Sequence, residues 1–341
     1  MGSGSGFTSR GIGRRSLFVR AGYAAAAGLV VPAAAGRARA QAAYPDRPVR
    51  VVVPFGAGTS TDTLTRLLAP RMSQELGQPV VVENRPGAGG VTGSDAVAKS
   101  PPDGHTLCMG SIASHSVNVS LMPKLPYDVL RDFTPVSLVT TAPNLLVVGP
   151  QVPARTLPEF LAWSRQQIGG ASYASAGNGT SSHLAGELLR LRTGAPLVHV
   201  PYRSGAQAVT DVVAGHVPML VYQVTAVLPF VRDGRLRALA ATSTRRLDWA
   251  PEVPTAIEQG VPDFDVSAWH GLFAPAGLPP PVLDRVFGAL TKALTDPELR
   301  PKLVEQGLEP VGMAPAEFRR FLVADIAKWR EVVRAANIKP G

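Results

Sequence analysis

The sequence predicts an α/β protein of two lobes, each built on a mostly parallel sheet, joined by a pair of crossing strands. Three observations predict it. Short β-branched runs alternate with helical patterns along nearly the whole chain, the pattern of parallel sheets with crossover helices. No repeat, low-complexity tract or long linker separates two halves after the first forty residues, so a lobe boundary has to be made of strands. Two extended, apolar, Pro- or Gly-bounded stretches, Asp132 to Pro143 and Val266 to Pro275, stand where a double passage would divide the chain. The first lobe is then residues 44–142 plus 268–341 and the second 143–267. Such a double crossing permits hinge closure around a ligand.

In chain order, the first segment reads as an address. Arg10, Arg14, Arg15 and Arg20 precede the apolar run Ala21 to Ala35, and Ala38-Arg39-Ala40 follows, as in an export signal with its cleavage site. Residues 1–40 are therefore expected to be removed near Ala40 and the rest to reach the periplasm. Arg14-Arg15 before Ser16-Leu17-Phe18 approaches a twin-arginine signal, which leaves both that route and the general one open. The apolar run, about fifteen residues, is shorter than the roughly twenty a membrane-crossing helix needs.

Val49 to Val53 is the first strand, and Leu64, Leu67, Leu68, Met72 and Leu76 recur at helical spacing, predicting a helix over Asp62 to Leu76 that Gly77 ends. Val80 to Val82, Thr106 to Met109, Leu145 to Val148, Ser172 to Ala174, Leu197 to Val200, Met219 to Tyr222 and Leu236 to Ala241 continue the strand series. Thr156 with Glu159 and Thr255 with Glu258 each mark a capped helix start. Phe318, Phe321, Leu322, Ile326, Trp329 and Val333 share one helical face, a core stripe.

The net charge of +9 belongs mostly to the signal: residues 1–40 carry six arginines and no acid, and the remainder is +3. Its cations are dispersed among acids, which argues against a nucleic-acid partner. Cys108 is the only cysteine, so the protein has no internal disulfide, and no cysteine follows the cleavage site to carry lipid.

Chemistry points to two loops. Pro54-Phe55-Gly56-Ala57-Gly58-Thr59-Ser60-Thr61-Asp62 lies between a strand and a helix, where glycines let the backbone approach closely and amides and hydroxyls can donate to an anion. It lacks the Gly-Lys-Ser/Thr of a phosphate loop. Ser175-Ala176-Gly177-Asn178-Gly179-Thr180-Ser181-Ser182-His183 repeats the design in the other lobe. Facing across a cleft, the two would supply donors from both sides. His183 is either a ligand donor or a side chain bonded to the backbone at the helix start.

Gly87, Gly89, Gly90 and Gly93 miss the G-x-G-x-x-G spacing of a dinucleotide fingerprint and are expected to form a flexible turn. The six histidines show no close ligand spacing, and no G-x-S-x-G elbow is present. No metal and no cofactor are expected. The alternative from another class is an exported α/β hydrolase whose serine and base meet only in three dimensions.

Tyr44-Pro45-Asp46-Arg47-Pro48-Val49, Val82-Glu83-Asn84-Arg85-Pro86-Gly87-Ala88-Gly89-Gly90, Pro102-Asp103-Gly104, Leu125-Pro126-Tyr127-Asp128, Tyr173-Ala174-Ser175-Ala176-Gly177, His199-Val200-Pro201-Tyr202 and Trp269 with Gly271 together resemble the substrate-binding proteins of the tripartite tricarboxylate transporters, the Bug or TctC family. The resemblance spans the chain beyond the signal. It implies a periplasmic binding protein type 2 fold that closes on a small carboxylate without catalysis, a monomer serving a membrane transporter or a sensor. It also implies a site from Phe55 to Thr61 (Phe55, Gly58, Thr59, Ser60, Thr61), from Ser111 to Ser114 (Ser111, Ala113, Ser114) and from Gly177 to Ser182 (Gly177, Gly179, Thr180, Ser181). Departures from the pattern fall at the site. Thr59 replaces a glycine and is expected to put a side chain into the anion pocket. Arg203-Ser204-Gly205-Ala206-Gln207 replaces a basic residue followed by Gly-Ser-Ala-Pro. Tyr222 and Gln223 stand where relatives commonly place an aspartate, which implies a ligand without an ammonium group, aromatic or a short dicarboxylate.

Overall fold

The computed structural model describes residues 44–339 together with Met1; the signal assigned to residues 1–40 otherwise lies outside the described residues. Eleven strands are described: β1 (Val49–Val53), β2 (Val80–Asn84), β3 (Thr106–Ser111), β4 (Phe133–Ala142), β5 (Asn144–Val148), β6 (Ala171–Ser175), β7 (Leu197–Pro201), β8 (Met219–Gln223), β9 (Arg237–Ala241), β10 (Ala268–Pro275) and β11 (Glu309–Pro310). The helices are α1 (Ser60–Leu76), α2 (Val91–Ala98), α3 (Asn118–Leu121), α4 (Leu157–Ser164), α5 (Ser181–Thr193), α6 (Gly205–Val213), α7 (Val224–Arg232), α8 (Pro280–Leu294), α9 (Leu299–Glu305) and α10 (Pro315–Ala335). None is long and apolar enough to cross a membrane, among the described residues.

Two sheets form, in the orders β11-β4-β10-β3-β1-β2 and β7-β6-β8-β5-β9. β1 lies parallel between β2 and β3, as strand–helix alternation requires. β10 is antiparallel to both β3 and β4. In the second sheet β6 is parallel to β7 and β8, and β5 is antiparallel to β8 and β9. Covered on both faces, β3 is buried throughout and reads as a near-continuous run rather than an alternating one, with Cys108 at its centre.

The passage between sheets is shorter than the two extended stretches suggest. β4 and β10 lie wholly in the first sheet, where Ala268 pairs with Ala142, so chain exit and return stand side by side. The crossing itself is confined to Pro143 and to the residues just before Ala268. Three segments are tied there: Asn144 Nδ2 donates to Val266 O at 2.7 Å, Thr242 Oγ1 donates to the same carbonyl at 3.1 Å, and Asn144 N donates to Thr242 Oγ1 at 3.2 Å. Asn144, Thr242 and Val266 are fully buried.

One apolar core runs through both lobes, from Cys108, Trp269 and Phe318 to Leu146, Tyr173 and Leu184. The C-terminal stripe lies on α10, with Phe318, Leu322, Ile326, Trp329 and Val333 buried and Phe321 partly so. Asp325 interrupts that stripe and is buried too, because the indole N–H groups of Trp269 and Trp329 both donate to it at 3.0 Å.

One local expectation is corrected. Thr255 and Glu258 do form the reciprocal cap, with Glu258 N donating to Thr255 Oγ1 at 3.0 Å and Thr255 N to Glu258 Oε2 at 2.7 Å. Yet only a turn follows: Gly260, at φ 89°, and Pro262 stop the helix after one turn. The glycines after β2 form a turn, as expected. They lead through a single 3-10 turn, Ala88–Gly90, into α2, and a Cβ on Gly90 would stand 3.0 Å from both the Phe55 ring and Ser114. They allow close approach to the neighbouring loops.

Candidate functional site

The two glycine loops are built alike. Thr59 and Thr180 are the N-caps of α1 and α5, with φ/ψ of −73°/160° and −74°/160°. Each threonine hydroxyl donates back to the carbonyl three residues earlier, Gly56 O at 2.8 Å and Gly177 O at 2.7 Å. Each then accepts from the amide three residues later, Asp62 at 3.4 Å and His183 at 3.5 Å. The side chain of that later residue reaches back in turn. Asp62 Oδ2 accepts from Gly58 N at 2.9 Å, and His183 Nδ1 accepts from Gly179 N at 3.1 Å. Gly58 and Gly179 take φ of +80° and +73°, which an L side chain adopts only with strain. The shared pattern is Gly-x-Gly-Thr-Ser-x-Asp/His.

This closure decides which donors remain. The amides of Gly58 and Gly179 and the hydroxyls of Thr59 and Thr180 are committed within their own loops. Thr59 is exposed and its hydroxyl caps α1, because a helix start must pair its free amides. The first two helical residues, Ser60 and Thr61 on α1 and Ser181 and Ser182 on α5, are left with amides that have no intrahelical acceptor, at the positive end of each helix dipole.

Asp62, at the end of the first loop, is its hub. Besides Gly58 N it accepts from Arg66 Nε, at 3.0 Å to each oxygen, and from Asn84 Nδ2 at 2.8 Å. Burial pushes its carboxyl up, but these hydrogen bonds outweigh burial and hold it below the usual carboxylate range. Asn84 also donates to Phe55 O at 3.1 Å, linking β2 to the loop. In the second loop Ser182 accepts from Ala176 N at 3.0 Å, and His199 Nε2 meets Ser175 Oγ at 2.6 Å. Asn84 and His199 reach their partners across 22 and 24 residues, so sequence spacing does not reveal these two contacts.

The third segment is placed differently. Ser111 is buried, and its amide donates to Ser114 Oγ at 3.0 Å; Ser114 is fully buried and its hydroxyl also meets His115 Nδ1 at 2.9 Å. Ser114 thus braces its own turn and its hydroxyl does not reach a cleft, whereas Ala113 is partly exposed. His115 stacks on Phe273, centroids 4.0 Å apart, and burial pushes its pKa down to about 3. α3 follows, and a Cβ on Gly179 would stand 2.9 Å from Leu121 Cδ2, so the second-lobe loop approaches the first lobe here.

Tyr222 and Gln223 end β8 beside the crossing, Gln223 opposite Asn144. The Tyr222 ring is half-buried, and its hydroxyl fills the place where a Cβ on Gly205, the first residue of α6, would be. Ser204 caps that helix, accepting from Gln207 N at 3.3 Å. A cavity of about 540 Å³ is found away from these loops, beside the crossing, with Thr141, Arg245, Asp265, Trp269, Glu309 and Lys328 among its lining residues.

Two serine–histidine contacts bear on the hydrolase alternative. Ser175 is fully buried and also bonded to Gly177, and His199 stacks on His183. Ser60 Oγ lies 3.3 Å from His270 Nε2, but the far ring nitrogen meets the Thr140 hydroxyl at 3.0 Å rather than a carboxylate. Neither has the third group that orients and charges a catalytic base.

Two α/β lobes, side-by-side crossings and twinned donor loops at strand ends define a cleft-type solute-binding protein. The chain belongs to the family described as Tripartite tricarboxylate transporter family receptor, which matches residues 64–338. It is similar to the periplasmic binding protein BugD (33% identity, TM-score 0.71, 87% of this chain and 99% of that one). It is also similar to Rpa4515 of R. palustris with adipate (34%, 0.74, 87% and 100%) and to MatC from Rhodopseudomonas palustris with bound malate (37%, 0.70, 85% and 100%). This is a family of solute-binding receptors, not of enzymes, and the hydrolase alternative finds no support in it.

Proposed function

We propose that this receptor works in the periplasm as a monomer, captures a short dicarboxylate lacking an ammonium group, and presents it to a membrane transporter. The observation that carries this reading is the twinned loop: each Gly-x-Gly-Thr cap closes on itself and leaves two helix-start amides and a serine hydroxyl, Ser60 or Ser181, for a carboxylate. Two such ends, one on each lobe, suit a ligand with acceptors at both ends. The relatives solved with adipate and malate support the same class. An ammonium group would lack a counter-ion at the end of β8, where Tyr222 packs against Gly205 and Gln223 is neutral.

Lobes 44–142 plus 268–341 and 143–267 rotate about the Asn144–Thr242–Val266 node in this reading, and ligand selects the closed state because only there do both loops touch it. Calorimetry with adipate, malate and glutamate, followed by X-ray scattering, tests it. Binding of a dicarboxylate with compaction is expected. Tight glutamate binding would refute the amino-free ligand, and binding without compaction the hinge.

A further inference from the structure

We propose that His270 makes Ser60 a hydrogen-bond donor to the bound carboxylate, by presenting a protonated Nε2 to the Ser60 oxygen. The inference rests on the carboxylate reading above and adds a positioning residue to it. His270 lies on β10 opposite Ser111 of β3, so its ring stands between the first and third loops. It is 3% exposed, and Thr140 beside it is fully buried.

The proton placement follows from what each group needs. Burial keeps the imidazole neutral, pushing its pKa down to about 4, so one nitrogen donates and the other accepts. The Thr140 hydroxyl must place its proton somewhere. Its side-chain partner among the described residues is His270 Nδ1, at 3.0 Å. A buried donor left unpaired is costly, so Thr140 donates and Nδ1 accepts. The ring proton is then on Nε2, directed at Ser60 Oγ 3.3 Å away. Ser60 accepts from the ring, and its own O–H is left for another acceptor. A carboxylate, which only accepts, matches that free O–H, whereas an ammonium or amide N–H leaves it without an acceptor.

The test has two independent arms. Long-range proton–nitrogen correlation of the ligand-free, ¹⁵N-histidine-labelled protein at neutral pH reads the tautomer directly. The Nε2–H form is expected; the Nδ1–H form or a doubly protonated ring would overturn the assignment. The second arm is calorimetry with adipate and with malate. Ser60→Ala and His270→Phe are each expected to weaken binding about tenfold, and the double variant to bind no more weakly than either, since both remove one interaction. His270→Gln, whose amide N–H₂ can replace the Nε2 donor, is expected to stay within about threefold of the natural protein. Additive losses, or equal losses for Gln and Phe, would count against it. If His270→Phe fails to fold, the Gln variant and the tautomer decide. If neither acid binds the natural protein, the carboxylate reading fails by itself, and the tautomer still shows whether His270 orients Ser60.

Discussion

His183 and His199 lie face to face, ring centroids 3.8 Å apart and planes 6° from parallel, and each holds a different residue of the second loop. His183 accepts from Gly179 N–H and His199 bonds Ser175 Oγ, so the stack keeps both ends of the loop in register. Removing His183 leaves the Gly179 amide unpaired and the His199 ring uncovered. His183→Ala is expected to cost about 1–3 kcal/mol of stability, read by urea unfolding, and to weaken carboxylate binding.

Neutrality of the buried His115 and His270 rings and of the half-buried His199 ring predicts an acid limb. Burial pushes His115 to about 3 and His270 to about 4; for His199, burial and then the neighbouring His183 ring lower it to about 4. The unfolded rings titrate near the ordinary 6.5, so below that pH the unfolded chain binds more protons and stability falls as pH drops from about 6.5 towards 4. Calorimetric unfolding near pH 5 in buffers of different ionisation enthalpy should show uptake of roughly three protons from these residues. Uptake near zero would contradict their neutrality in the folded protein.

Asp62 works with the opposite partners and at lower pH. Its folded carboxyl lies below the ordinary value, so the stability it confers is present above about pH 4 and is lost as pH falls through the folded value. Asp62→Asn is expected to cost about 2–4 kcal/mol near pH 7, since Arg66 and Gly58 lose a charged acceptor, and less at pH 3, below the ordinary carboxylate value. Chemical denaturation at the two pH values separates these outcomes.

Thr59 caps a helix in this structure, and the effect of changing it should follow. Thr59→Ala is expected to lose about 0.5–2 kcal/mol, and Thr59→Gly only a few tenths, with dicarboxylate affinity changed less than about twofold in either. A larger change in affinity would return Thr59 to the ligand.

Gly205 offers a steric check on Tyr222. Gly205→Ala drives its new methyl into the Tyr222 ring and hydroxyl and is expected to cost about 1–3 kcal/mol, whereas the same change on a Tyr222→Ala background should be nearly free. Thermal melts of the four proteins give the coupling.

The strand series, the amphipathic α1 and the doubled Gly-x-Gly-Thr loops were legible in the amino-acid sequence, because each depends on neighbours within a few residues: periodicity, a cap, a glycine at positive φ. The family resemblance was legible too, since it rests on local motifs. Tertiary structure decided where those groups point. The Thr59 and Ser114 hydroxyls are bonded within their own turns, while Asn84, His199 and His270 reach the loops from other strands, contacts that no spacing in the sequence marks. Their partners are 22 to 210 residues away for Asp62–Asn84, Ser175–His199 and Ser60–His270. Whether a hydroxyl faces a ligand or its own loop depends on which carbonyl lies within 3 Å of it, and only the packed chain fixes that distance.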